Sequence, residues 1–160
     1  LPSINADGTK IAFWSWGGWS GQEYPSLYLL DRTTNTYTQI TQGGLCSINK
    51  TSSYLLATPP SISADGTRIA FVDCTNPTGE NPNSSPQLFI YDTTTSTFHQ
   101  ITFIPETTLD YEWILYPQIS ADGMRVIFES NSPALVSINP YPDPYYMHLF
   151  MADLTILTGN

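Results

Sequence analysis

The chain has 160 residues, of which 12% are charged; 14 Asp and Glu stand against 5 Lys and Arg, a formal net charge of −9. That balance excludes duplex nucleic acid as a partner, because phosphate binding needs a cationic surface, and it disfavours anionic membrane surfaces. No apolar run approaches the ~20 residues that span a bilayer, and no stretch carries a helical apolar period, so membrane insertion and a helical fold both drop out.

In chain order, Pro2-Ser3-Ile4 opens a short strand (a), and Asn5-Ala6-Asp7-Gly8-Thr9 is a turn. Its Asp-Gly pair predicts the positive backbone dihedrals of a tight hairpin. Ile11-Ala12-Phe13 continues as strand b, and after a loop Leu27-Tyr28-Leu29-Leu30-Asp31 forms strand c. A Thr- and Asn-rich turn leads into Tyr37-Thr38-Gln39-Ile40-Thr41, strand d. The series then returns. Pro60-Ser61-Ile62-Ser63-Ala64-Asp65-Gly66-Thr67, Ile69-Ala70-Phe71, Leu88-Phe89-Ile90-Tyr91-Asp92 and Phe98-His99-Gln100-Ile101-Thr102 make the second copy. Pro117-Gln118-Ile119-Ser120-Ala121-Asp122-Gly123-Met124, Val126-Ile127-Phe128 and Leu149-Phe150-Met151-Ala152-Asp153 make the third, which reaches Asn160 where strand d is due.

Strands b and c are apolar almost without alternation, so both their faces need cover. A sheet packed between two similar sheets supplies it, as a blade does in a propeller. The expectation is an all-β chain of three four-stranded antiparallel blades, the last lacking its outer strand. Blade 1 spans 1–41, blade 2 spans 59–102 and blade 3 spans 116–160, with long loops at 15–26, 42–58, 73–87, 103–115 and 129–147.

The quoted segments together resemble the TolB-like (WD-repeat-like) β-propeller repeat, and are similar to bacterial secreted proteins with tandem propeller repeats. The resemblance implies part of a six- to eight-bladed propeller. It speaks to fold and not to function, since such propellers serve as binding modules, scaffolds and enzyme accessory domains. Three blades cannot encircle an axis, so the remaining blades are expected from the same longer chain or from another copy. The open first and last blades should then expose more apolar surface than the few hundred Å² usual for a monomer. The chain begins at Leu1 with neither Met nor a signal-peptide core, so it is expected to be a processed form or a segment.

In a blade the a–b and c–d turns lie at one end, and the b–c and d–a loops at the other. The turn residues Asp7, Gly8, Asp65, Gly66, Asp122 and Gly123 are expected to be structural, with Asp accepting backbone N–H groups two or three residues on. Lys10, Arg68 and Arg125, just past the turns, are expected to be solvated or paired with turn acids. Asp31, Asp92 and Asp153 end the c strands on the turn side; every other acid (Glu23, Asp73, Glu80, Glu106, Asp110, Glu112, Glu129 and Asp143) falls at the long-loop end, with Lys50 the one cation there. Trp14, Trp16, Trp19, Tyr24, Tyr54, Tyr111, Trp113, Tyr141, Tyr145 and Tyr146 join them. Aromatic rings beside acids suit sugars, cationic groups or a protein surface. The alternative is that the rings pack loop bases and the acids keep the surface soluble.

Catalysis finds little support. His99 and His148 lie on strands with no Ser or Cys nucleophile beside them, and no G-x-S-x-G elbow or phosphate loop is present. The innermost strands carry no acid or base. No cofactor is implied, although Asn76-Pro77-Thr78-Gly79-Glu80-Asn81 and Asp143 offer oxygen ligands for calcium without the ordered spacing of a calcium loop. Cys46 follows strand d of blade 1 and Cys74 follows strand b of blade 2, so a disulfide at the blade junction is expected. It would persist outside a reducing cytosol, placing the chain in an extracellular or cell-surface setting, or a periplasm. The functional expectation is a non-catalytic module that binds a protein or glycan through its acidic, aromatic long-loop end. An accessory propeller of a carbohydrate- or peptide-processing enzyme and a building block of a surface assembly are the alternatives.

Overall fold

The computed structural model describes residues 1–16, 25–43, 46–47, 55–56, 58–105, 112–135 and 146–158. Strands β1 (Ser3–Ile4), β2 (Lys10–Ser15), β3 (Ser26–Asp31) and β4 (Thr36–Gln39) form one antiparallel sheet in that order. A small hairpin of β5 (Cys46–Ser47) and β6 (Leu55–Leu56) follows. The second sheet holds β7 (Ser61–Ile62), β8 (Arg68–Asp73), β9 (Gln87–Asp92) and β10 (Thr97–Gln100), again in sequence order. The third has β11 (Ile114–Ile119), β12 (Arg125–Ser130) and β13 (His148–Asp153), and where a fourth strand would pair the chain turns as a 3-10 helix over Thr155–Thr158. A second 3-10 turn spans Pro133–Leu135. This is the all-β blade architecture that the repeats imply.

The registers repeat with the sequence. Ala12 faces Leu29, Ala70 faces Ile90 and Ile127 faces Met151 at equivalent points of the three b–c ladders. The a–b connections differ from a two-residue hairpin in one respect. Asn5 N–H bonds the Lys10 carbonyl and Gly8 N–H returns to the Asn5 carbonyl, so the loop is wider. Only the glycine adopts the left-handed conformation, with φ of 73° at Gly8, 72° at Gly66 and 71° at Gly123. Asp7, Asp65 and Asp122 keep ordinary dihedrals, and their carboxylates accept the N–H two residues on. In the c–d turns the left-handed position falls to Asn35 and Ser96. Strand β11 carries a bulge between Leu115 and Gln118, with Tyr116 at φ 51°.

The three sheets stack face to face. All six residues of β8 are buried, because the sheet is covered on both sides. One apolar cluster joins Ile62, Ile69, Phe71, Phe89 and Tyr91 of the middle blade to Ala12, Leu27 and Leu29 of the first. The other joins Ala70, Val72, Leu88 and Ile90 to Ile114, Val126 and Phe128 of the third. In β13, covered on one side, half-buried and exposed positions alternate instead.

Candidate functional site

The turn end of the blades is chemically closed. Asp7 Oδ1 accepts the Thr9 N–H at 2.8 Å and its hydroxyl at 2.6 Å, and Asp31 Oδ1 does the same for Thr33. Asp122 accepts the Met124 N–H at 3.0 Å. The Thr9 hydroxyl and N–H hold the Asp7 carboxyl below the usual carboxylate range. Of the cations past the turns, Arg125 comes closest to the expected acid pairing, at 4.0 Å from Asp122 with both side chains largely exposed. Arg68 does something else. It is 8% exposed, and its Nη1 donates to the Gly123 carbonyl of the neighbouring blade at 2.8 Å.

The opposite end gathers the b C-termini with the a and c N-termini, and there the structure describes Trp14, Trp16, Glu112, Trp113 and Tyr146. Trp14 ends within β2; its Nε1 donates to the Thr58 carbonyl at 3.0 Å, and its ring meets Phe71 edge-on at 6.4 Å. That indole therefore seals the junction of blades 1 and 2. Trp16, just beyond β2, is 65% exposed, and Tyr146, ahead of β13, is 57% exposed. Glu112 accepts the Ser132 hydroxyl at 3.4 Å, and the Trp113 backbone N–H donates to Asn131 Oδ1 at 2.7 Å. Trp19, Glu23, Tyr24, Tyr54, Glu106, Asp110, Tyr111, Asp143 and Tyr145 lie outside the described residues.

Beneath this end runs a polar scaffold that motif reading did not reveal. Gln87 donates to the Ile104 carbonyl at 2.7 Å and accepts the Thr102 hydroxyl at 2.7 Å; Thr102 in turn accepts the Leu88 N–H. Gln100 donates to the Thr102 carbonyl, as Gln39 does to that of Thr41, which accounts for the repeated Gln-Ile-Thr. Asn81 donates to the Thr75 and Ser85 carbonyls, and Asn76 Oδ1 accepts the Asn81 N–H. These oxygens close the 76–81 loop on itself. Among the described residues no group of three His, Cys, Asp or Glu side chains has a metal-binding arrangement.

Asp73 departs from the acidic surface that its position suggested. It is fully buried, and burial pushes its carboxyl up to about 7 against the hydrogen bond from Thr75. A signal was present in the repeat: the equivalent positions are Ser15 and Ser130, so an acid here is the exception. Next to it, Cys74 is bonded to Cys46 with Cα atoms 5.1 Å apart, the expected disulfide. His99 pairs with Ile90 within β10 and β9, and its Nε2 lies 3.3 Å from the Thr97 hydroxyl. His148 opens β13, its ring edge-on to Phe150.

No protein-family model and no curated protein matches this sequence. Solved structures do match. The β-propeller domain of the Trilobed protease from Pyrococcus furiosus superposes with TM-score 0.59 at 14% identity, over 97% of this chain and 38% of that one. An oligogalacturonate lyase in complex with manganese gives 0.56 at 16%, covering 97% and 36%, and the tricorn protease gives 0.55 at 13%, covering 94% and 12%. The chain thus spans well under half the length of each. At these identities the likeness concerns the fold: consecutive blades of a β-propeller.

Proposed function

We propose that the chain is a non-catalytic propeller module that binds a protein or a glycan through its long-loop end. One observation carries the reading. The turn end consumes its acids in local hydrogen bonds, whereas the long-loop end presents exposed rings at Trp16 and Tyr146 above a rigid polar scaffold. Trp and Tyr rings are economical contact area, because each has only two side-chain torsions to fix on binding. Loops on such scaffolds carry function out of proportion to their length. The Cys46–Cys74 bond supports an extracellular or cell-surface setting, where disulfides persist.

The test is retention of the purified chain on glycan and peptide arrays, beside Trp16→Ala and Tyr146→Ala. Loss of retention with unchanged thermal unfolding supports the reading. Unchanged retention in both variants removes the long-loop end from the account.

A second reading, an accessory propeller of a carbohydrate- or peptide-processing enzyme, is favoured by neighbours that are proteases and a lyase. It requires that the array ligands be confined to peptides or to galacturonate oligosaccharides, the classes that such enzymes cleave.

A further inference from the structure

Asp73 ends β8 at the long-loop end, and three further segments are fastened there. Cys74 follows directly and is bonded to Cys46 of β5, which is buried with Val72, Leu88 and Ile104. Asp73 Oδ1 accepts the Thr75 N–H at 2.6 Å, and the Asn81 side chain donates to the Thr75 and Ser85 carbonyls, which ties the 74–85 loop to the same residue. β7 pairs antiparallel with β8, so the residues leading into β7 lie toward this end of β8. Thr58 is one of them; it is buried, and its carbonyl accepts the Trp14 indole N–H of blade 1.

Two side-chain atoms are left over at this joint. Asp73 Oδ2 and the Thr58 hydroxyl are buried without a partner among the described residues. The turn itself does not call for the second carboxylate oxygen, because the equivalent residues are Ser15 and Ser130, and Ser130 holds the Ser132 N–H with its single oxygen. What aspartate adds to the position is a charge that can be gained and lost. A dry site disfavours that charge, and burial pushes the carboxyl up to about 7 against hydrogen bonds from Thr75 and Cys74. No cation among the described residues offsets it. Across the ladder Asp73 faces Gln87, whose amide is spent on Ile104 and Thr102, and the disulfide sulfurs of Cys46 and Cys74 do not titrate. Glu80, Glu112 and Glu129, the other described acids of that end, oppose a further negative charge.

We propose that Asp73 is a proton-operated latch on the blade 2 part of the long-loop end. Protonated, it lets the joint close; ionised, it draws water to Oδ2, and the 74–85 loop parts from the joint while the middle of β8 stays in place. Opening at a strand end disturbs only loops, whereas the centre of β8 is covered on both faces, so the local route is the cheaper way to solvate the charge. The closed joint holds a proton that the open joint releases. Opening is therefore suppressed below about pH 4 and grows by up to about tenfold per pH unit as pH rises toward 7.

Hydrogen exchange read by mass spectrometry on the 160-residue chain tests this, against Asp73→Ser, the residue that the repeat itself places there. Dividing the wild-type rate by the variant rate at the same pH cancels the intrinsic pH dependence of exchange. For peptides over 74–85 that ratio should rise at least about tenfold between about pH 5 and pH 7. For peptides over Ile69–Val72 it should stay flat across the same range. Asp73→Asn, uncharged at every pH and of the same size, should follow Asp73→Ser, and it serves if the serine variant misfolds. A ratio over 74–85 that does not change with pH would overturn the proposal. So would a rise shared by both segments, which would make the opening global, or a wild-type profile in Asp73→Asn, which would take the charge out of the account.

Discussion

Asp73 Oδ1 accepts the backbone N–H of Thr75 at 2.6 Å, and the Ser130 hydroxyl accepts that of Ser132 at 3.1 Å in the same place one blade later. The turn needs one acceptor, and serine supplies it. Aspartate supplies a second oxygen, Oδ2, which is buried without a partner, as is the Thr58 hydroxyl. A buried carboxylate in this state favours its protonated form.

Stability should therefore depend on pH through Asp73. Its carboxyl is raised from 3.8 to about 7 on folding, so the folded state holds a proton that the unfolded state releases. Stability is fully present below about pH 4 for this group and falls as pH rises toward 7, by on the order of 4 kcal/mol in all. Below about pH 4 the sign reverses, because Asp7, Asp31, Asp122 and Asp153 are held low by their turn hydrogen bonds and lose them on protonation. Urea unfolding from pH 4 to 8 should show the decline, and Asp73→Ser should flatten it. A decline that persists in Asp73→Ser would locate its cause elsewhere.

Arg68→Ala should cost about 2–3 kcal/mol, since it strips a buried guanidinium stem from between two blades and leaves the Gly123 carbonyl without its charged donor. Lys10→Ala should cost less than about 1 kcal/mol, its contact being longer and half-exposed, in the range of weak surface interactions. Chemical denaturation of both variants gives the ratio.

Gly66→Ala should destabilise more than Gly8→Ala. Both glycines hold a positive φ, which costs an L-residue roughly 1–2 kcal/mol. A Cβ on Gly66 would in addition meet Lys10 Cδ at 2.7 Å and Asn5 Nδ2 at 3.0 Å, whereas at Gly8 nothing lies nearer than 3.7 Å. Equal midpoints in urea would mean that Lys10 swings aside without penalty.

Reduction of Cys46–Cys74 should lower stability by about 2–4 kcal/mol, as expected for a closed loop of this length, with a sequence separation of 28. The comparison is oxidised protein against Cys46→Ala/Cys74→Ala at the unfolding midpoint. Peptide mapping without reductant should recover the cross-linked pair.

The fold was legible because the repeat states its decisions two or three times. Asp-Gly marks a turn, Ile-Ala-Phe a doubly covered strand, and Gln-Ile-Thr the closing strand, whereas the hydrogen bonds that Gln39 and Gln100 donate to the Thr41 and Thr102 carbonyls were not legible. The role of Arg68 was not legible, because its acceptor is a backbone carbonyl 55 residues away. A carbonyl leaves no trace in residue type, so a turn acid looked the better partner. Trp14 likewise looked like Trp16 in the sequence. What separates them is register: Trp14 lies opposite Leu27 on the face that meets Phe71, whereas Trp16 lies past the last paired residue, Ser15.

The complete burial of β8 has a consequence for how the protein breathes. Amide protons at Ile69, Ala70, Phe71 and Val72 are sheltered by a neighbour on either side, so opening them requires the two flanking sheets to part. Strand β4 is exposed at all four residues and β13 at alternate ones, so both open more readily than β8. Hydrogen exchange should therefore run inward, fastest in β4 and β13 and slowest in β8, and the slowest protons should report the free energy of unfolding the whole stack.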